Sequence, residues 1–112
     1  MQLLTFEAYV RLIEFEFYLR RGNFSALYGR VRGCRIRPAL AGHESVERIC
    51  AAVDMASIWY WKEVLCLQRS AATTCLLRGH GIAAEMVIGA QPMPFKAHSW
   101  VEVGGRVVND RP

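Results

Sequence analysis

Two stretches of the sequence, CLQRSAATTCLLRGHG at residues 66–81 and FKAHSWVEV at residues 95–103, decide the fold. The first stretch consists of acceptable helix formers up to residue 78, and Gly79 and Gly81 can end that helix in a left-handed conformation. The second stretch alternates in the manner of a half-buried strand. Because strands follow helices here instead of alternating with them, we predict an α+β fold and not an α/β fold.

The remaining elements are predicted from hydrophobic periodicity and turn residues. Three helices are predicted before residue 66, each with apolar residues at helical spacing: 3–21, a short helix after Gly22 with Asn23 as its cap, and 45–61. The first of them is predicted to be mostly covered as a packing element, with docking of a partner as the alternative. Residues 83–89 and 106–110 predict two more strands, which completes a small antiparallel sheet after a central helix.

Composition limits what the chain can be. With 53% hydrophobic and 21% charged residues among 112, it lies outside the disordered class. We predict one domain over 1–112, with a helical lead-in at 1–61 and the candidate catalytic core at 62–112. Charged residues interrupt the apolar stretch 3–19, so no membrane span is expected. The net charge of +4 is only a weak clue to an anionic partner.

The four cysteines form no CxxC pair, which predicts free thiols and a reduced, cytoplasmic protein. Cys66 lies at the first turn of the predicted central helix, where unpaired N–H groups and the helix dipole favour a thiolate. The other three occupy weaker positions, since Cys50 lies on an apolar helical stripe, Cys75 within a helix and Cys34 in an arginine-rich loop. Cys66 is therefore the candidate nucleophile.

The candidate general base is His98, because a strand holds an imidazole in fixed geometry and alternation puts it on one face with Trp100 and Glu102. His43 and His80 lie in predicted loops beside glycines and are weaker candidates. A Cys–His pair needs a third group that orients the imidazole. We expect an aspartate in that role.

Asp110 is the aspartate near His98 in sequence, and the register of the last hairpin decides whether the two meet. A two-residue turn at Gly104-Gly105 puts them on opposite faces of the sheet and makes Asn109 the first alternative. A three-residue bulged turn over 103–105 brings His98 directly opposite Asp110. The sequence permits both turns, and a catalytic triad favours the second.

A family resemblance rests on several stretches between residues 66 and 110, with a looser match before them: CLQRS at 66–70, LLRGHGIAAE at 76–85, VIG at 87–89, AHSWVEV at 97–103 and VVND at 107–110. Together they resemble the B2 proteins of lasso peptide biosynthesis, which are leader peptidases with a transglutaminase-like, papain-related fold. The resemblance implies Cys66 as nucleophile, His98 as general base and acid, and Asp110 as the residue that orients His98.

The resemblance also implies a substrate and partners. B2 proteins cut a ribosomally made precursor peptide between leader and core, and a separate ATP-dependent macrolactam cyclase then closes the ring. Since the residues before Cys66 predict helices and not a strand-containing recognition module, we expect a separate B1 protein to hold the leader. No metal, cofactor, membrane or nucleic acid is expected to take part.

The oxyanion hole is expected to include the backbone N–H of Cys66. A second donor could come from four nearby side chains, each of which is predicted to be a packing or surface residue instead: Trp59, Tyr60, Trp61 and Gln68. The three aromatic residues of this group are predicted to lie in the core because of their helical setting.

Two other functions stay open on the sequence. The same triad could transfer an acyl group to an amine, as a transglutaminase does. Alternatively, the chain could be a non-catalytic peptide or nucleic-acid adaptor that uses the arginines between 30 and 37 and the aromatic run 59–61.

Overall fold

The computed structural model describes residues 2–22, 24–36, 46–61, 64, 66–92 and 95–108, with residues 2, 24, 89–92 and 95–98 described by their backbone alone. In this part of the chain four helices precede three strands, which confirms the α+β class. The helices are α1 (Gln2–Arg20), α2 (Phe24–Arg32), α3 (Val46–Ile58) and α4 (Cys66–Gly79). The strands are β1 (Ala84–Pro92), β2 (Phe95–Val103) and β3 (Arg106–Val107).

Helix α4 is the centre of the fold, because α1, α2 and α3 pack against it as well as β1 and β2. A helix surrounded in this way buries its polar residues too, and these need partners. Thr73 and Thr74 donate their hydroxyls to the carbonyl oxygens of Arg69 and Ser70, each at 2.8 Å. Back-bonding of this kind lets threonine enter a buried helix without an unsatisfied hydroxyl.

Helix α1 is less covered than the sequence predicts. Its buried face, which packs on α3 and α4, consists of Leu4, Ala8, Leu12 and Phe15. A second apolar stripe stays exposed along the same helix: Leu3, Phe6, Val10, Ile13 and Phe17. The prediction of a mostly covered helix is therefore wrong for this stripe. The physical reason is that α1 is apolar on more than one face, and only one of these faces packs against the described core.

The aromatic run 59–61 also departs from its prediction. Helix α3 ends at Ile58, so the run lies beyond the helix and only Tyr60 turns inward, with 8% exposure. Trp59 and Trp61 are 74% and 64% exposed, so the predicted core position is wrong for both. The Tyr60 hydroxyl donates to the buried carboxylate of Glu16. Burial is the larger cause and this hydrogen bond the second cause that raise the pKa of Tyr60 to about 12.

The strands form one antiparallel sheet in the order β1-β2-β3. The bounds of β2 agree with the prediction, whereas β1 continues beyond Gly89 to Pro92 and pairs with β2 along its whole length. Strand β3 ends at Val107, and one more hydrogen bond, from Val108 N to Val101 O at 3.0 Å, extends the pairing. Residues 109 and 110 lie outside the described part of the chain.

The hairpin between β2 and β3 has the two-residue turn. Val103 pairs with Arg106, and Gly104 and Gly105 have φ values of +60° and +79°. Two consecutive glycines reach this type I′ conformation without steric strain, and its twist matches that of the flanking strands. The three-residue bulged turn favoured for the triad is therefore wrong.

The expectation of four free thiols is wrong for two cysteines. Cys34, just beyond α2, and Cys75, within α4, form a disulfide with a Cα–Cα distance of 5.6 Å. Both are buried where α2 packs on α4, so the contact between the helices brings the sulfurs together. Cys50 and Cys66 are free. Among the helices of the described residues, none is long and apolar enough to cross a membrane.

Candidate active site

Cys66 is the first residue of α4, as the sequence predicts. The N–H groups of a first helical turn have no intrahelical partner, and the helix dipole places partial positive charge there. The side chain is partly exposed and its thiol is free. A sulfur in this position is accessible to a substrate carbonyl and lies beside backbone donors.

The other three cysteines are poor nucleophiles in this structure. Cys34 and Cys75 are joined to each other. Burial raises the pKa of Cys50 to about 11, and the nearby carboxylates of Asp54 and Glu47 add to the effect. Because the thiolate is the reactive form of cysteine, Cys50 is almost entirely unreactive near neutral pH. Of the two cysteines outside the disulfide, Cys66 is therefore the candidate nucleophile.

A pair of serine hydroxyls lies beside the candidate nucleophile, and one of them contacts its sulfur. Ser99 Oγ is 3.7 Å from Cys66 Sγ and 3.2 Å from Ser70 Oγ. Ser70 lies one turn into α4, and Ser99 lies on β2, which packs on α4. Both serines are buried, at 1% and 5% exposure. The contact between α4 and β2 therefore brings a small polar cluster to the sulfur.

The two hydrogen bonds of Ser99 compete for one hydroxyl hydrogen. Each serine carries one hydroxyl hydrogen, so Ser99 cannot donate to Ser70 and to Cys66 at once. When Ser70 donates to Ser99 Oγ, the hydrogen of Ser99 is available to the sulfur. This arrangement satisfies both buried hydroxyls, and it ends on Cys66 Sγ as the acceptor.

The contact of Ser99 with Cys66 was not predicted from the sequence. The residue stands in the AHSWVEV stretch, and strand alternation separates Ser99 and the buried Val101 from Trp100 and Glu102. Trp100 Nε1 donates to Glu102 Oε2 at 2.9 Å, in agreement with the prediction that these two share a face. The signal that could have identified Ser99 is this alternation, because Ser99 shares the buried face of β2 with Val101.

The other two members of the predicted triad are not tested by these contacts. The backbone of His98 lies in β2 and pairs with Gly89, while its side chain lies outside the described part of the structure. Asp110 and its alternative Asn109 also lie outside the described residues. The contact from Cys66 to His98 and the orientation of His98 therefore stay predictions.

Gln68 serves packing, as predicted. Its Nε2 donates to the carbonyl oxygen of Leu12 at 2.7 Å and to Tyr60 Oη at 3.4 Å, and the side chain is 2% exposed. Both amide hydrogens are thus used to hold α4 against α1 and the chain after α3. Within the described residues, no three histidine, cysteine or carboxylate side chains come together in an arrangement that could hold a metal ion.

Comparisons with known proteins agree with the resemblance noted in the sequence. The family model described as the transglutaminase-like superfamily matches residues 11–112. Microcin J25-processing protein McjB from Escherichia coli is 51% identical over 47 residues, which are 42% of this chain and 23% of McjB. The match thus spans less than a quarter of that relative. The search of solved structures found no match.

Because the family model spans nearly the whole chain, the protein belongs to the transglutaminase-like superfamily, and the McjB match supports the resemblance to B2-type proteins.

Proposed function

We propose that this protein is a cysteine peptidase that removes the leader from a lasso precursor peptide. The observation that carries the proposal is the position of Cys66, a free and partly exposed thiol at the start of the buried helix α4. Membership of the transglutaminase-like superfamily and the partial identity with McjB support the choice of reaction class and pathway.

The proposed reaction has two steps. The Cys66 thiolate attacks the carbonyl carbon of the leader–core bond, and the tetrahedral oxygen is held by the backbone N–H of Cys66. The C–N bond breaks as His98 donates a proton to the leaving amine of the core, which leaves the leader as a thioester on the sulfur. Water, deprotonated by His98, then attacks the thioester, so the leader leaves as a carboxylic acid and the thiol is restored.

The residue that orients His98 is part of the proposal and has its own test. The family resemblance implies Asp110, whereas the observed two-residue turn makes Asn109 the alternative. If Asp110 holds the imidazole, Asp110→Asn should keep the fold and lower turnover by at least about tenfold, because an amide cannot stabilise imidazolium as a carboxylate does. A loss of activity in Asn109→Ala, with Asp110→Asn unaffected, would assign the role to Asn109.

The proposal includes three partners. These are the leader–core precursor as substrate, a separate B1 protein that recognises the leader, and the ATP-dependent cyclase that uses the freed core amine. The cytoplasm is the predicted location. The Cys34–Cys75 disulfide argues against this location, because disulfides are rare in cytosolic proteins.

The decisive experiment is mass spectrometry of the precursor peptide incubated with the protein, with and without its recognition partner. We expect free leader and free core from the unaltered protein and faster cleavage with the partner, which raises the effective concentration of the scissile bond. Cys66→Ala should abolish both products while the circular dichroism spectrum is unchanged. Cys50→Ala is the matched control and should retain activity. Full activity of Cys66→Ala would end the cysteine-peptidase proposal.

Acyl transfer to an amine is the second candidate, since the transglutaminase-like superfamily match is compatible with it as well as with hydrolysis. In that reaction an amine, and not water, takes the acyl group from the Cys66 thioester. Adding a small primary amine to the same incubation distinguishes the two, because transfer gives a leader–amine adduct and hydrolysis gives the leader acid. Peptide binding without cleavage under any of these conditions would instead support the adaptor function.

A further inference from the structure

A pocket of about 380 Å³ lies at the end of α4 opposite to Cys66. Its wall is formed by α1, the end of α2 and the last turns of α4, and includes the sulfurs of the Cys34–Cys75 disulfide. Leu76, which lines it, follows Cys66 by about 15 Å along the helix axis. The pocket is therefore separate from the candidate active site.

Two of the three arginines that line the pocket share one carboxylate. Arg11 Nη1 lies 2.8 Å from Glu14 Oε1, and Arg30 Nε lies 2.7 Å from Glu14 Oε2. Arg30 Nη1 also donates to Cys34 Sγ at 3.2 Å, which holds its guanidinium against the disulfide. These contacts fix the two guanidinium groups in place.

The third arginine, Arg35, is exposed on the pocket's rim. Among the described residues no carboxylate pairs with Arg35. The second acidic group of the site, Glu7, lies 3.6 Å from His80 Nε2. Among the described pocket residues and their ion-pair partners, three guanidinium groups stand against two carboxylates, Glu7 and Glu14, which is an excess of one positive charge before His80 is counted.

We propose that this pocket binds the carboxylate of an acidic side chain in a peptide. A single negative charge balances the excess, whereas a phosphate dianion would exceed it. Guanidinium groups match the planar fork of a carboxylate. Leu76 and the disulfide supply an apolar wall for the methylene stem of such a side chain.

The choice of the peptide rests on the proposed function, while the chemistry of the pocket does not. If the ligand is the precursor, its acidic residue must lie at least about five residues from the scissile bond, because an extended chain covers roughly 3.3 Å per residue. The pocket would then hold the substrate at a second point, remote from Cys66, and help to place the bond to be cut.

The test measures peptide binding in the Cys66→Ala protein, in which cleavage cannot interfere. A failure of the proposed cleavage chemistry is therefore distinguishable from a failure of binding in the pocket. The probes are an acetylated, amidated pentapeptide with one glutamate, its glutamine counterpart and inorganic phosphate. Titrations are followed by NMR at the side-chain Nε–H signals of Arg30 and Arg35. We expect the glutamate peptide to shift both signals and to bind more tightly than either other probe.

Arg35→Gln should weaken binding of the glutamate peptide about three- to fivefold, the scale of one partly exposed ion pair. Arg35→Lys, which keeps the charge, should recover part of the affinity. Arg21→Gln is the matched control that should not change it, because this exposed arginine follows the end of α1, about 15 Å along the helix from Arg11. Equal binding of the glutamate and glutamine peptides, tighter binding of phosphate, or no effect of Arg35→Gln would each overturn the proposal.

Discussion

The two ends of helix α4 differ in chemistry although they belong to one buried helix. At the N-terminal end, Cys66 is a free thiol that contacts the hydroxyl of Ser99. At the C-terminal end, the sulfur of Cys75 is locked in a disulfide, and arginines surround the last turn. The same element therefore presents a sulfur that can react at one end and a sulfur that serves only as a link at the other.

Backbone polarity explains why the charges are distributed in this way. The N-terminal end of a helix offers unpaired N–H groups, which favour an anion such as a thiolate, whereas the C-terminal end offers carbonyl oxygens, which favour cations. Arg78 in the last turn donates from Nε to Ala84 O at 2.8 Å and from Nη1 to Cys34 O at 3.1 Å. It thereby ties the end of α4 to β1 and to the chain beyond α2.

Among the changes at the two ends of α4, removal of the disulfide is expected to have the largest effect, and this effect is on the free energy of unfolding. The bridge closes a loop with a sequence separation of 41 residues. Its loss should lower the free energy of unfolding by about 4 kcal/mol, because the unfolded chain regains the freedom that the link removes. Urea unfolding with and without a reductant measures the change.

The reduced protein also tests whether the two ends are independent. Under conditions where it is still folded, we expect the alkylation rate of Cys66 to be unchanged. A Cys34→Ser, Cys75→Ser double variant should lose the same stability and no longer respond to the reductant. A rise in Cys66 reactivity that parallels the loss of stability would show that α4 loosens as one unit and would contradict the separation of its ends.

The N-terminal end of α4 could be predicted from the sequence more completely than the C-terminal end. Local signals, namely helix formers and the glycines that follow them, were sufficient to place Cys66 at a helix start and to bound β2. The Cys34–Cys75 link joins residues far apart in sequence, and spacing alone does not predict such a pair. Its formation depends on how α2 packs against α4.

The hairpin and the exposed stripe of α1 show two other limits. The Gly104-Gly105 dipeptide allowed two registers, and the preference for a triad selected the wrong one, whereas the backbone takes the turn that fits strand twist. In α1, apolar residues occur on more than one face, so composition could not tell which face packs. Both errors arose where tertiary context decides between patterns that are locally acceptable.

Selective alkylation of the two free cysteines should show the next largest effect. The pKa of Cys50 is raised from 9.0 to about 11, so below pH 9 its thiolate fraction is on the order of a hundredfold below that of an ordinary thiol. Iodoacetamide at pH 8 should therefore label Cys66 first, as peptide mass mapping can show. Labelling of Cys50 should become appreciable only as the pH approaches 11.

The same shift predicts a change in stability with pH. The folded protein holds the Cys50 proton more tightly than the unfolded chain does. The contribution of this protonated thiol to the free energy of unfolding is therefore fully present below pH 9 and is lost as the pH rises toward 11. A Cys50→Ser variant should lose less stability over this range than the unaltered protein. Equal labelling of Cys50 and Cys66 at pH 8 would contradict the burial of Cys50.

The smallest effect concerns the hydroxyls at Cys66. Ser99→Ala removes the donor that lies 3.7 Å from the sulfur, and it should slow alkylation of Cys66 at pH 7 roughly three- to tenfold, the scale of one ordinary hydrogen bond. Ser70→Ala should have a smaller effect, because Ser70 reaches the sulfur only through Ser99. In the Ser99→Ala background, the second substitution should change the rate no further, since the path through which it acts is already absent. If the two substitutions instead slow the reaction independently, so that their effects multiply, Ser70 acts on the thiolate by another route and the hydroxyls do not form a chain that ends on Cys66.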